Sequence, residues 1–120
     1  MSHYKLDMRD VQFVLFDWLN VGSLAEKEPY KSLGFDEDMF KMVIEEGYKL
    51  ALNEIAPLNE DSKFHAEFKG GKVILPPEFK VAFQKYCENG WLGLNANPEF
   101  GGQGFPGTIG ISAMEFMCGS

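Results

Sequence analysis

A chain of 120 residues is the size of one domain, and its 45% hydrophobic and 14% aromatic content supplies enough apolar area for a buried core, which excludes disorder over most of its length. Eleven Lys and Arg against 18 Asp and Glu give a net charge of −7, so phosphate backbones and anionic membrane surfaces are repelled and nucleic acid is excluded as a partner. Two cysteines, Cys87 and Cys118, exclude a disulfide framework and lack metal-ligand spacing, a usage that fits a reducing, cytoplasmic compartment. The first residues lack the basic-then-apolar order of a signal peptide. The apolar run from Val11 to Val21 is cut by Asp17 and Asn20, so no membrane insertion is expected.

After Asp7, the residues Val11, Val14, Leu15, Trp18 and Leu19 recur at helical spacing and predict a first helix that ends at Val21-Gly22-Ser23. Phe13 and Phe16 lie off that stripe, so this helix is apolar on more than one side and needs two neighbours. The stretch from Leu24 to Gly34 has no period and reads as a loop. Asp36 and Asp38 suit the start of a second helix, where unpaired N–H groups favour acidic side chains. Phe40, Ile44, Tyr48, Ala51, Ile55 and Leu58 then hold one face over about six turns, and Pro57 predicts a kink or an end near Ala56. From Ala66 to Leu75 a Gly70-Gly71 pair between short strand-forming stretches predicts a hairpin. Pro76 and Pro77 lead a third helix with a stripe of Phe79, Ala82, Phe83, Tyr86 and Cys87, capped by Asn89-Gly90. The glycine-rich stretch from Trp91 to Gly107 reads as a long turn anchored by its aromatic and leucine side chains. A fourth helix follows with Glu115 as its one charge, apolar on every side and therefore suited to burial on every side, while nothing in the chain follows to cover it, which reads as a sign that the chain is part of something larger. These elements predict an all-α, four-helix, bundle-like domain over residues 1–120 with a small β-hairpin appendage between helices two and three. Residues 1–34 form its leading helix and loop, and 35–120 its core helices, hairpin and glycine-rich turn.

Few residues carry chemistry. Gly102, Gly104 and Gly107 have the G-x-G-x-x-G spacing that lets a backbone approach a pyrophosphate, but no strand precedes them, so they read as a turn feeding a helix. Glu45 and Glu46 point about 100° apart on a helix, which makes them a solvated face rather than an acid/base pair. His3 and His65 have no second ligand at metal spacing. Cys87 and the methionines Met39, Met42, Met114 and Met117 read as core filling. Glu115 is the residue of interest: burial on an apolar helix would raise its pKa or demand a basic partner on a neighbouring helix, and the paired structural carboxylate is the favoured reading. No nucleophile, base and orienting group converge, so no catalytic, cofactor-binding or metal residue is assigned.

The order Asp7-Met8-Arg9-Asp10-Val11-Gln12-Phe13-Val14-Leu15, Ala56-Pro57-Leu58-Asn59, Pro76-Pro77-Glu78-Phe79-Lys80, Asn89-Gly90-Trp91-Leu92-Gly93-Leu94 and Pro98-Glu99-Phe100-Gly101-Gly102-Gln103-Gly104-Phe105-Pro106 resembles the amino-terminal helical domain of acyl-CoA dehydrogenases. The resemblance covers nearly the whole chain and is closest to the larger members, the group that includes methylmercaptopropionyl-CoA dehydrogenases. It implies an FAD-dependent flavoprotein oxidoreductase of fatty acid metabolism that removes an α-proton from an acyl-CoA thioester while a hydride passes from the β-carbon to FAD. It also implies that the base and the principal flavin contacts lie in other domains and in a neighbouring subunit, which would be this chain's partners. Glu115 matches an acidic position of the family's glycine-turn-then-helix pattern, which places it near the acyl pocket without making it the base. On this resemblance the chain is a fragment that lines the pocket and is inactive, without FAD, by itself. The alternative from composition and pattern is a stand-alone helical interaction module whose apolar fourth helix docks on a partner.

Overall fold

The fold, a computed structural model describing residues 3–120, is mostly helical with one small antiparallel sheet. An extended lead-in places Tyr4, Leu6 and Met8 against the core at alternate positions, the period of extended backbone. Asp7 caps α1 (Met8–Gln12), its carboxylate accepting from the Arg9 N–H at 2.9 Å. The helix widens into a π-helical turn over Phe13–Trp18, where the Leu19 N–H reaches back five residues to the Val14 carbonyl. Asn20 takes a left-handed conformation, φ 51°, and ends it.

The first helix is therefore present, but its buried stripe is not the predicted one. Leu15 and Phe16 are buried and Val11 is half-buried, whereas Phe13, Val14, Trp18 and Leu19 face solvent. A helix apolar on two sides fits either face to the core, and here the face with Phe16 won. The predicted loop after it is a 3₁₀ turn over Val21–Glu26 followed by further turns, and it places Phe35 against Phe40 and Phe105.

Asp36 caps α2 (Glu37–Leu50) by accepting from the Met39 N–H at 2.7 Å, with Glu37 and Asp38 in the favoured first turn. Phe40, Ile44, Gly47 and Leu50 are its buried residues. The helical path does not stop near Ala56. A π-helical turn over Ala51–Ile55 lets the Ala56 N–H bond the Ala51 carbonyl, and α3 (Ala56–Glu60) runs on with Pro57 inside it. The wide turn absorbs what proline removes, because Pro57 has no N–H for the usual bond and its ring needs room against the preceding turn.

The hairpin forms as predicted, with β1 (Glu67–Lys69) antiparallel to β2 (Lys72–Ile74) and Phe68 opposite Val73. Gly70 and Gly71 both have positive φ, 58° and 77°, as a two-residue turn of this hand requires. Then α4 (Pro77–Glu88) ends at Gly90, φ 81°, and two 3₁₀ turns, Trp91–Gly93 and Pro98–Phe100, lead to α5 (Gly107–Gly119). Leu94 and Phe105 anchor this connection in the core.

The core lies where α2 crosses α5. Phe40 and Ile44 meet Ile109, Ala113 and Phe116, and Leu15, Phe16 and Val21 close the other side. Trp91 also packs against this core, and Gly47 lets its ring approach, since a Cβ there would lie 3.2 Å from the indole. Full burial of side chains such as Phe40 and Phe116 is worth about 1.5–3 kcal/mol each. Two apolar helices are left partly uncovered. On α4 no residue is fully buried, and on α5 only Ile109, Ala113 and Phe116 are, leaving Ile111 and Met114 in solvent. Among the described residues α2 is the main helix packed on α5, with Asn95 against Gly110 and Tyr4 against Gly119 towards its two ends, and the side with Ile111 and Met114 stays uncovered. Met42 and Met114 are accordingly surface residues rather than core filling.

Candidate functional site

The half-buried stripe of α4 faces across a gap to α3 and α5. Ile55 and Leu58 form one side, Phe79, Ala82, Phe83 and Tyr86 the second, and Met114, Met117 and Cys118 the third, around an apolar cleft of about 500 Å³. The sequence positions these groups by helical spacing: Phe79 and Phe83, like Ala82 and Tyr86, are four residues apart and stack along one side of α4. The closed end is tied by Asn59, whose amide donates to the Ser120 carbonyl at 2.9 Å. Burial raises the pKa of the Tyr86 phenol, with smaller contributions from Cys87 and Cys118, so the group is neutral near pH 7.

Such a lining can hold an apolar chain and exclude water from it, but it contains no nucleophile with a base beside it. A second cleft of about 520 Å³ lies between Glu46, Lys49, Glu54, Lys85 and Trp91. Its charges neutralise one another, Lys85 with Glu54 and Lys49 with Glu46, each at 2.7 Å.

Glu115 is not buried and not paired. It lies on the exposed side of α5, about 100° round the helix from both Met114 and Phe116, and no base is within ion-pair distance among the described residues. The paired structural carboxylate expected from sequence is thus replaced by a solvated one, for the reason that uncovers Met114: no described helix packs over that side of α5. Its charge is felt by Tyr4, whose phenol pKa is raised first by burial, then by Tyr48 and by Glu115.

The glycine turn is closed largely by its own hydrogen bonds. The Gly102 N–H donates to Asn97, that of Gln103 to Gly93, that of Gly104 to Ala96 and that of Phe105 to Leu94, so these four amides are engaged within the turn. A Cβ on Gly102 would run into the Ala96 backbone, which shows that its close approach is to the chain itself.

Glu45 and Glu46 are exposed, and His65 bonds the Ser62 carbonyl at 3.1 Å beside Glu67. Among the described residues no group of His, Cys, Asp or Glu could hold a metal ion, and no helix is long and apolar enough to cross a membrane. Sequence reasoning missed the cleft. Its α4 residues were legible as a stripe, but a stripe does not say whether the partner face is close or held apart.

The chain aligns along most of its length with known enzymes. It is 29% identical over 118 residues to 3-methylmercaptopropionyl-CoA dehydrogenase of Ruegeria pomeroyi, a match covering 95% of this chain and 19% of that enzyme. It is 26% identical over 112 residues to a butyryl-CoA dehydrogenase of Syntrophomonas wolfei, covering 90% of the chain and 17% of the enzyme. A second butyryl-CoA dehydrogenase of that organism is 32% identical over 98 residues, covering 75% of the chain and 16% of the enzyme. Its homologues are acyl-CoA dehydrogenases. The chain spans less than a fifth of the length of these curated relatives. No family model matches it. The similarity to the Ruegeria enzyme extends over nearly all of the chain, so cleft, glycine turn and α5 belong to one homologous unit rather than to a local motif.

Proposed function

We propose that this chain is the amino-terminal α domain of an FAD-dependent acyl-CoA dehydrogenase, acting in the cytoplasm, and that it supplies positioning rather than chemistry. The observation that carries the reading is the coverage: 95% of the chain aligns with only 19% of an acyl-CoA dehydrogenase. In this reading residues 1–34 are a leading helix and loop, and 35–120 complete a four-helix, bundle-like unit once the other domains fill the space beside α4 and α5. The remaining domains and subunits of the parent enzyme are the partners, and they supply the base and the flavin contacts. The apolar walls of α4 and α5 would border the acyl portion of an acyl-CoA, and an apolar, water-excluding wall favours an alkyl chain by about 0.8 kcal/mol per buried methylene. Glu115, one residue from Met114 of the cleft, would stand near that pocket as a carboxylate that carries no proton in the reaction.

The test begins with the gene beyond the codon for Ser120. Expression of the complete reading frame should give a yellow protein whose flavin bleaches anaerobically on addition of butyryl-CoA or a related thioester. A full-length product that holds no flavin, or a frame that encodes no further domain, would overturn the reading. The second reading, a stand-alone interaction module, is favoured by the exposure of Phe83, Ile111 and Met114, and the same frame analysis decides between them.

A further inference from the structure

The molecule is flat and open. Its principal extents are 54 × 34 × 16 Å and its radius of gyration is 16.6 Å, where a compact domain of this length has about 14 Å. Its accessible surface is 8021 Å², against roughly 6,500 Å² for a folded monomer of 13.5 kDa. The excess of about 1,500 Å² exceeds the roughly 800 Å² that each partner contributes to a standard protein interface.

Two separate exposed patches have complementary chemistry. One is the hairpin. Phe68 and Val73 are cross-strand partners, 74% and 67% exposed, and Lys69 stands opposite Lys72 beside the turn. Like charges facing each other across a hairpin destabilise it, and a two-stranded hairpin is marginal by itself, so this arm gains from an acidic, apolar surface. Glu67 holds Lys69 at 2.9 Å, but in an exposed pair that exchanges readily, and Lys72 has no ion pair among the described residues. Residues 62–76 carry Lys63, Lys69 and Lys72 against Glu67, a segment of net charge +2 in a chain of −7, which leaves −9 for the rest.

The other patch is the outward side of the first helix. Asp10, Phe13, Val14, Asp17 and Trp18 follow helical spacing there, with Phe13 58% and Trp18 71% exposed. Neither Asp10 nor Asp17 has an ion-pair partner among the described residues, and Arg9 is the one base from Asp7 to Asn20. This face is the second apolar side that the sequence predicts to need a neighbour, and no element among the described residues covers it.

From these observations we infer that two copies of the chain associate by exchanging contacts, the basic apolar hairpin of each docking on the acidic apolar face formed by Asp10 through Trp18 of the other. A two-fold axis makes both contacts equivalent, so each patch is buried in each copy. Both halves of the complementary pair are present on one chain and both are exposed, which is what selects a second copy as the occupant. The inference does not depend on the dehydrogenase reading.

Charge exchange tests it on the intact chain. Sedimentation equilibrium of the unaltered protein at tens of micromolar should show a dimer that weakens with added salt. The pair Lys69→Glu/Lys72→Glu should weaken self-association by about tenfold or more, and Asp10→Lys/Asp17→Lys should do the same, since each juxtaposes like charges. Mixing the two variants should restore a dimer, because in the mixed species both contacts again join opposite charges. Far-ultraviolet circular dichroism checks that each variant is folded, and Lys69→Ser/Lys72→Ser, which should also weaken association, replaces the first pair if it is not. A protein monomeric at hundreds of micromolar in low salt, a dimer indifferent to the hairpin variants, or a mixture that stays monomeric would each overturn the inference.

Discussion

Glu115 shows how much a single residue's role depends on what covers it. A lone carboxylate on an apolar helix demands a partner only when the helix is enclosed, and here its side of α5 is open to water. In the isolated chain Glu115→Gln should therefore change stability by no more than about 0.5 kcal/mol, read from chemical denaturation. In a full-length enzyme the same substitution should leave single-turnover flavin reduction largely intact; loss by orders of magnitude with normal substrate binding would make Glu115 the base. Tyr4 carries a pH dependence of known sign. Its folded pKa is raised above the unfolded value, by burial first and then by Tyr48 and Glu115, so folding favours the neutral phenol. The stability this contributes is fully present below the unfolded pKa near 10 and is lost as the pH rises through the higher folded value. Thermal melts between neutral and strongly alkaline pH should fall less steeply for Tyr4→Phe than for the unaltered chain. Tyr86, raised in the same direction, should account for part of the remaining slope.

The helices of this chain divide into a pair that carries the fold and one that waits for company. The α2–α5 crossing contains Phe40, Ile44, Ile109 and Phe116, all without exposed surface, whereas Phe83 on α4 is 60% exposed. Phe40→Ala should accordingly cost about 3–5 kcal/mol, since it removes a buried ring and leaves a cavity. Phe83→Ser should cost no more than about 0.5 kcal/mol in the isolated chain. Denaturation midpoints of the two variants compare the helices directly, and equal losses would mean that α4 is as firmly packed as α2. The π-helical turns also act at this scale. The one over Ala51–Ile55 carries the helical path through Pro57 and so places Leu58 on the cleft and Asn59 beside the end of α5.

As a whole the molecule is flat and open, 54 × 34 × 16 Å. Its area exceeds that of a compact monomer of its mass, and apolar side chains of the Phe13–Trp18 turn, α4 and α5 look outward in three places. An open cleft bordered by apolar side chains keeps water from an apolar group only after something closes it. The isolated chain should purify colourless and show no flavin binding at micromolar FAD, because the amides from Gly101 to Phe105 are engaged within the turn. Equilibrium dialysis measures this, and a stoichiometric flavin retained through gel filtration would show a cradle that the fold does not present.

Local chemistry was legible in the sequence wherever a few neighbouring residues decide the outcome. Asp36 as a cap, Gly70-Gly71 as a two-residue turn, Gly90 as a helix end and Gly102 through Gly107 as a turn feeding a helix all follow from backbone preferences and hydrogen bonds within a few positions. The family resemblance was legible for the same reason, since it rests on short motifs in a fixed order. Periodicity named the apolar residues of each helix, but it could not say which of two apolar faces would be covered. The first helix turned Phe16 inward rather than Trp18, α4 kept its stripe half open, and α5 left Glu115 in water. Burial is a property of what lies opposite a residue, and only the tertiary structure supplies that: the crossing of α2 and α5 chose the core, and the gap between α3, α4 and α5 became the cleft.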